Sequence, residues 1–246
     1  MDCDTAEGGG PARRGDAVLR PVAPWTASVH ALLAHLRARG VDWVPEPRGV
    51  VPAPGAAPEV RLAAVSWVDG DVPAYPMPAY VWAPSVLDRA AGMLRELHDA
   101  GEGFDRSGRV WALPAREPAE VICHNDFAPY NLAFRDGLPV GAIDFEAASP
   151  GPRAWDLAYL AYRLVPLAHP DNPDLPARAD ARARLARLCA AYGVIPPSDV
   201  LALLPERLRT LAASAPRAHA KCYLADATHI DGLLGRSMAQ QSTRRD

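Results

Sequence analysis

Lysine is nearly missing from this 246-residue chain: of 26 basic residues, 25 are arginine and only Lys221 is lysine. The phosphate-cradling pattern G-x-x-x-x-G-K-[ST] therefore cannot occur, because Lys221 follows Ala220. A lysine Schiff base would have to use that one residue. Cysteine is also sparse. Cys3, Cys123, Cys189 and Cys222 lie far apart with no C-x-x-C pair, which excludes a zinc knuckle or a disulfide framework and predicts reduced thiols. Met1 to Asp16 lacks the basic patch and apolar stretch of a secretory signal. The longest apolar run, Leu157 to Ala168, is broken by Arg163 and falls short of the roughly 20 residues that span a bilayer. The expectation is a cytoplasmic chain with no membrane partner. A net charge of −3 gives no electrostatic case for a nucleic-acid partner.

What is present is a globular composition, with 49% hydrophobic and 22% charged residues. Strand signals come first: Arg14 to Pro21 around the Gly15-Asp16 turn, then the apolar run Val60 to Val68 ending at Asp69-Gly70. Between them Val29, Leu32, Leu33 and Leu36 recur at helical spacing, with Thr26 as N-cap and Gly40 at the end. The proline-rich stretch Pro73, Pro76, Pro78 marks a hinge between a small lobe and a larger one. Ser85 caps a second helix running to about Asp99. From Ala154 onward the pattern is helical: Arg178 to Tyr192, a helix capped by Ser198, and a last one over Ala218 to Leu234 before a frayed tail from Ser237.

The most informative piece follows the second helix and a loop. Asn131 to Arg135 and Leu138 to Phe145 flank Asp136-Gly137, a strong two-residue hairpin signal. With that turn, cross-strand partners have numbers summing to 273, so Asn131 faces Ala142 and shares a sheet face with Asp144. Their side-chain oxygens then converge at one end of the ribbon, where Mg²⁺ would be at home because it takes few protein ligands and fills its shell with water and phosphate oxygens. Just upstream, a strand from Glu120 to Cys123 ends in His124-Asn125-Asp126. A carboxylate at Asp126 would accept a hydrogen bond from a substrate hydroxyl and orient it toward a phosphate held by that metal, which suggests metal-assisted phosphoryl transfer.

His124-Asn125-Asp126-Phe127-Ala128-Pro129-Tyr130-Asn131 resembles the H-x-D-x-x-x-x-N catalytic loop of the aminoglycoside phosphotransferase family, a branch of the protein-kinase-like fold. Ile143-Asp144-Phe145 is similar to its metal-binding segment, Trp155-Asp156-Leu157-Ala158 to the D-L-A that follows, and Leu97-His98 to the L-H that ends the helix before the loop. The resemblance implies an α+β, two-lobed protein-kinase-like fold: a small, truncated β-rich N-lobe over 1–70 with a hinge at about 66–70, and a larger, mostly helical C-lobe over 71–246. It implies Asp126 as catalytic base, Asn131 and Asp144 as Mg²⁺ ligands, and Arg20 on the phosphates of ATP or GTP. Ser66 C=O and Val68 N–H would meet the adenine. Asp156 would either brace the catalytic loop or serve as an N-terminal dipole partner for its helix. His124 would bond a backbone carbonyl and pack under the loop. Glu146 would be a solvated loop residue or a substrate contact, and Gly8 to Gly10 a phosphate-covering loop or a leader.

Two departures from the family pattern stand out. The segment before Arg20 is short, and no Asp or Glu occurs from Ala17 to Val41, so Arg20 has no local acid partner. They support an alternative, a non-catalytic kinase-like binding or immunity protein with a degenerate nucleotide lobe. From Phe145 to the end, 13 basic residues face 10 acidic ones, which argues against a polycationic acceptor and for a neutral or mildly charged small hydroxyl compound.

Overall fold

Gly15, with φ of +61°, and Asp16 turn the chain so that strand β1 (Ala12–Arg14) folds back antiparallel on β2 (Ala17–Pro21), Arg14 opposite Ala17. The computed structural model describes residues 11–53, 55, 57, 59–170 and 180–243, with side-chain surroundings up to residue 235. Gly8 to Gly10 and the expected helix start at Arg178 lie outside the described residues. A four-stranded sheet in the order β1-β2-β4-β3 occupies the front of the chain, with β3 at Pro47–Pro52 and β4 at Arg61–Ser66. Sequence reading missed β3, because its prolines, at the first and last positions, read as loop punctuation. Proline is tolerated at the end of an edge strand, where no ladder donor is lost.

Helix α1 (Thr26–Ala38) connects β2 to β3 and buries Val29, Leu32, Leu33 and Leu36, the residues picked out by their spacing. Thr26 is its first residue rather than its cap, and its hydroxyl accepts from the backbone N–H of Ala23 at 2.9 Å. Helix α2 (Pro84–Ala100) begins with proline at its first turn, where the missing N–H costs nothing, and buries Val86, Leu87, Met93, Leu94 and Leu97. Each such side chain contributes about 1.5–3 kcal/mol on burial. Strand β5 (Val121–Cys123) pairs with β8 (Ser149–Gly151), and β6 (Leu132–Arg135) with β7 (Leu138–Ala142). Helices α3 (Arg153–Leu164), α4 (Ala181–Tyr192), α5 (Pro197–Ser214) and α6 (Arg217–Thr243) complete the chain. Asp180 caps α4 by accepting from Ala183 N–H at 3.0 Å, while Ser198 lies within α5 and does not cap it. Helix α6 runs to Thr243, through residues expected to fray; Met238, Ala239, Gln240 and Gln241 are all good helix formers. Among the described residues no single helix is long and apolar enough to cross a membrane.

The β6–β7 ribbon corrects the expected register. Asp136 and Gly137 form the turn with φ of 52° and 74°, as their identity predicts. Arg135 faces Leu138 and Phe134 faces Pro139, but Ala133 faces Gly141 and Leu132 faces Ala142. Pro139 has no N–H to give and Val140 is left over as a bulge, so the rest of the ladder slips by one. Asn131 therefore lies opposite Ile143, whose N–H donates to its carbonyl at 2.9 Å, and not opposite Ala142.

The segment after β4 is strapped to this ribbon. Asp71 and Phe134 exchange two backbone hydrogen bonds of 2.8 Å, and Val68 packs where a Cβ on Gly141 would stand 2.3 Å from its Cγ1. Gly70, at φ +146°, lies against Phe134 so closely that a Cβ would stand 2.8 Å from its carbonyl oxygen. The front sheet is thus fixed to the elements that carry the polar loop.

Candidate active site

The scaffold of the site is a carboxylate in the first turn of α3. Asp156 is wholly buried and accepts from His124 N–H at 2.6 Å, Asn125 N–H at 2.9 Å and His98 Nε2 at 3.2 Å. Of the two roles open for it in the sequence, bracing the loop is the one these bonds show. Burial alone would raise its pKa, but the His98 hydrogen bond and charge, followed by those from His124, hold it below the usual carboxylate range. Cys123 lies beside this pair, and all three ligand atoms fall within 4.8 Å of one another. Burial pushes the Cys123 thiol well above its ordinary value, so it is no thiolate. The trio reads as a hydrogen-bonded core rather than a metal centre.

On that scaffold the loop after β5 takes a left-handed step at Asn125, φ 63°, held by bonds from its amide to Ala147 C=O at 3.0 Å and Ser149 Oγ at 2.9 Å. His124 bonds the Ile143 carbonyl at 3.0 Å and stacks near Phe127 and Phe145, the supporting position read from the sequence. Asp126 then emerges half-buried. Its Oδ1 accepts from Tyr130 Oη at 2.7 Å and its Oδ2 from Asn131 Nδ2 at 2.8 Å. With its nitrogen turned to Asp126, the Asn131 amide keeps its oxygen for another partner.

Asp144 follows Ile143 in the left-handed region, φ 64°, a conformation Asp tolerates better than most side chains and one that recurs at functional sites. Its Oδ1 binds Arg20 Nη1 at 2.6 Å. Arg20, without an acid neighbour in its own segment, thus finds one 124 positions away. The pair is partly exposed, 23% and 39% at the side chains, so screening limits it to about 1 kcal/mol. The Ile143 N–H bond to the Asn131 carbonyl sets Asn131 across from Ile143, so the face expected to be shared by Asn131 and Asp144 does not follow from the register; Asp144, one residue on, is placed by its own left-handed backbone. An amide oxygen and a carboxylate are hard oxygen donors that fit Mg²⁺.

Ser66 and Val68 are less closely connected to this group. With Trp43, Trp67, Asp69 and Arg135 they line a cavity of about 310 Å³ whose walls include none of Arg20, Asp126, Asn131 or Asp144. Ser66 is tied to Glu46 by reciprocal bonds of 2.8 Å, and Trp67 N–H donates to Asp16 C=O at 2.7 Å. Glu146 is neither plain solvent-facing loop nor free: its carboxylate accepts from Trp25 Nε1, joining the start of α1 to the turn after Asp144.

Sequence reading missed two arginines. Arg207, buried on α5, donates to the Asn125 carbonyl and stacks on Trp155 and Tyr159, with ring centroids 5.0 and 4.6 Å from its guanidinium carbon. Arg163, at the end of α3, touches Tyr130, Tyr159, Tyr162 and Tyr223. The available signal for Arg163 was its place as the one charge in the apolar run Leu157 to Ala168. Nothing comparable marked Arg207 among the alternating arginines of the C-terminal helices.

Residues 104–197 match the family model described as the phosphotransferase enzyme family. The chain is 35% identical over 143 residues to the trifolitoxin immunity protein of Rhizobium leguminosarum bv. trifolii, covering 56% of this chain. It spans about half the length of that relative, 51%. Among solved structures it superposes on a choline/ethanolamine kinase family protein from Mesorhizobium loti with TM-score 0.57 and 18% identity, over 89% of this chain and 84% of that one. It also superposes on the streptomycin–ATP ternary complex of APH(2")-IIa with TM-score 0.57 and 13% identity, over 93% and 91% of the two chains. The fold is therefore α+β and protein-kinase-like, as the sequence motifs implied.

Proposed function

With the segment 104–197 belonging to the phosphotransferase enzyme family, we propose that this chain is a cytoplasmic, Mg²⁺-dependent small-molecule kinase. It moves the γ-phosphate of ATP or GTP to an alcohol. The observation that supports the reading is the 2.8 Å hydrogen bond between Asn131 and Asp126, with Asp144 one residue beyond Ile143, whose N–H donates to the Asn131 carbonyl at 2.9 Å. Residues 1–70 form the nucleotide-binding lobe and 71–246 the catalytic and acceptor-binding lobe.

In this reading the acceptor hydroxyl displaces Tyr130 from Asp126 Oδ1 and gives its proton to that carboxylate as the oxygen attacks the γ-phosphorus. The bond from that phosphorus to the bridging oxygen breaks as the new one forms. Asn131 Oδ1 and the Asp144 carboxylate would hold Mg²⁺, which would offset charge on the phosphates. Arg20 turns its planar fork from Asp144 toward phosphate oxygens; it is not interchangeable with lysine in this role. Ser66 C=O and Val68 N–H receive the base. Asp156 and His124 hold the loop in place and exchange nothing with substrate.

The test is phosphoryl transfer by the Asp126→Asn variant together with thermal shift in MgATP, MgGTP and each nucleotide without metal. Loss of a positioned base removes about 10²–10⁴ in rate; an unchanged rate rejects Asp126. A metal-dependent shift at millimolar nucleotide supports the kinase. A second reading, a non-catalytic binding or immunity protein, is favoured by the likeness to an immunity protein and by Arg20 engaging the proposed metal ligand. Absence of any metal-dependent shift selects it.

A further inference from the structure

Arg163 has no carboxylate partner among the described residues. Its guanidinium donates to Tyr159 Oη at 2.9 and 3.2 Å, to Tyr223 Oη at 2.9 Å and, at the long distance of 3.4 Å, to Tyr75 Oη. The nearby acids are engaged elsewhere: Asp226 accepts from Tyr162 Oη at 2.7 Å and from His169 N–H at 2.8 Å, and Asp126 from Tyr130 and Asn131. Arg207, which also lies against the Tyr159 ring, adds a second cation without a salt-bridge partner among the described residues. Both guanidinium carbons thus lie near the Tyr159 ring, 5.1 and 4.6 Å from its centroid, and neither arginine is salt-bridged among the described residues.

This cation is within reach of the proposed chemistry. Tyr159 Oη lies 2.5 Å from Tyr130 Oη, which lies 2.7 Å from Asp126 Oδ1, so three hydrogen bonds lead from Arg163 to the proposed base. The Tyr223 hydroxyl accepts from Arg163 and its own proton has no acceptor among the described residues. Arg163, Tyr130 and Tyr223 each keep part of their surface exposed. Four tyrosine rings around a point would suit an organic cation, but here that point is filled by the chain's own arginine. An incoming ammonium would meet like charge, whereas an anion would meet a guanidinium with no carboxylate partner and a tyrosine O–H with no acceptor among the described residues.

We propose that Arg163 and Tyr223 anchor an anionic group, carboxylate or phosphate, on the hydroxyl-bearing compound that docks beside Asp126. The inference rests on the phosphotransferase reading and narrows its acceptor class to hydroxy acids and phosphorylated alcohols. The spacing leaves the acceptor's anion at Arg163 and its hydroxyl at Asp126.

Calorimetric titration of the full chain with glycerate, glyceramide, glycerol 3-phosphate and glycerol reads this site without chemistry. Glycerate or glycerol 3-phosphate is expected to bind at least tenfold more tightly than its neutral counterpart, and the better of the two identifies which anion is meant. Arg163→Gln is expected to abolish the difference, and Tyr223→Phe to reduce it severalfold; Arg163→Lys, which keeps the charge without the fork, carries the test if the glutamine variant fails to melt cooperatively. Equal binding of charged and neutral members, no binding of any, or a preference that survives Arg163→Gln overturns the assignment. Transfer from labelled MgATP is measured on the same compounds. Charge-selective binding with no transfer to any keeps the anion site and defeats the kinase; transfer to neutral alcohols without preference does the reverse.

Discussion

Replacing Asp156 by asparagine tests the scaffold of the site with almost no change in shape. The carboxylate receives two backbone N–H donors, at 2.6 and 2.9 Å, and the His98 ring at 3.2 Å, with no exposure to solvent. Asparagine offers one oxygen and an NH₂ group, so one backbone N–H must face a donor. Hydrogen bonds to a charged group contribute about 1.5–3 kcal/mol each, and a buried donor left unmade costs about 1–3 kcal/mol. The expected loss is therefore about 3–5 kcal/mol, the range measured for breaking a buried charge pair. At roughly 2–4 °C per kcal/mol for a chain of this size, the melting temperature should fall by about 6–20 °C. Acid should erase the difference. The folded carboxyl titrates below its unfolded value, so the stabilisation is complete above the ordinary aspartate pKa of about 3.9 and is lost as pH falls toward the depressed folded value. Urea unfolding at pH 7 and in steps from about pH 4 downward through the depressed folded value measures both effects. A loss under 1 kcal/mol at pH 7, or a gap that widens on acidification, would falsify the bracing role.

Gly141→Ala should destabilise the chain by about 1–3 kcal/mol in thermal unfolding, since the new methyl would stand 2.3 Å from Val68 Cγ1 and 3.0 Å from the Trp43 carbonyl oxygen; a neutral result would mean the strap is slack. Tyr130→Phe removes the donor on Asp126 Oδ1 and should raise transfer at low acceptor concentration through a lower KM, which steady-state kinetics reads; a loss of kcat instead would make the hydroxyl part of the proton path. Leu94→Ala, at a wholly buried position on α2, should cost about 2–5 kcal/mol by urea denaturation, and an exposed-site value near zero would contradict the core placement. Asp144→Asn should weaken the magnesium dependence of nucleotide-induced thermal shifts at least tenfold in metal concentration; an unaltered midpoint removes Asp144 from the metal site.

Local signals were legible where one residue type answers one local demand. Asp136-Gly137 specified a turn needing two positive φ angles, and Val29, Leu32, Leu33 and Leu36 specified the buried face of α1. The polar loop was legible because its parts lie within twenty residues and each has a distinctive chemistry. The register was not, because a missing N–H at Pro139 and a spare Val140 shift the ladder without altering the turn. Contacts that require tertiary closure were out of reach: the remote partner of Arg20, the Trp25–Glu146 bond, and the tyrosines gathered around Arg163 from the loop, α3 and α6. Sequence spacing carries no record of which distant helix turns its aromatic face to a given arginine.

The absence of acid from Ala17 to Val41 and the Arg20–Asp144 bond are two sides of one arrangement. A cation on β2 with no carboxylate on α1 to hold it takes the nearest acid that the fold presents, the residue just past the ribbon. That acid is also the proposed metal ligand, so cation and carboxylate neutralise each other where a nucleotide and its metal would sit. A bond of about 1 kcal/mol between partly exposed groups is easily exchanged: a divalent ion on Asp144 and phosphate oxygens on Arg20 replace one ion pair by two. Both replacements must arrive together, since metal alone strands the arginine and nucleotide alone strands the carboxylate. Nucleotide and metal should therefore bind with positive coupling, each tightening the other equally. Arg20→Ala frees Asp144 in advance and should lower the coupling while strengthening metal binding by itself. Titrating magnesium with and without ATP in both proteins measures the coupling, and an equal value in the two would separate Arg20 from the metal site.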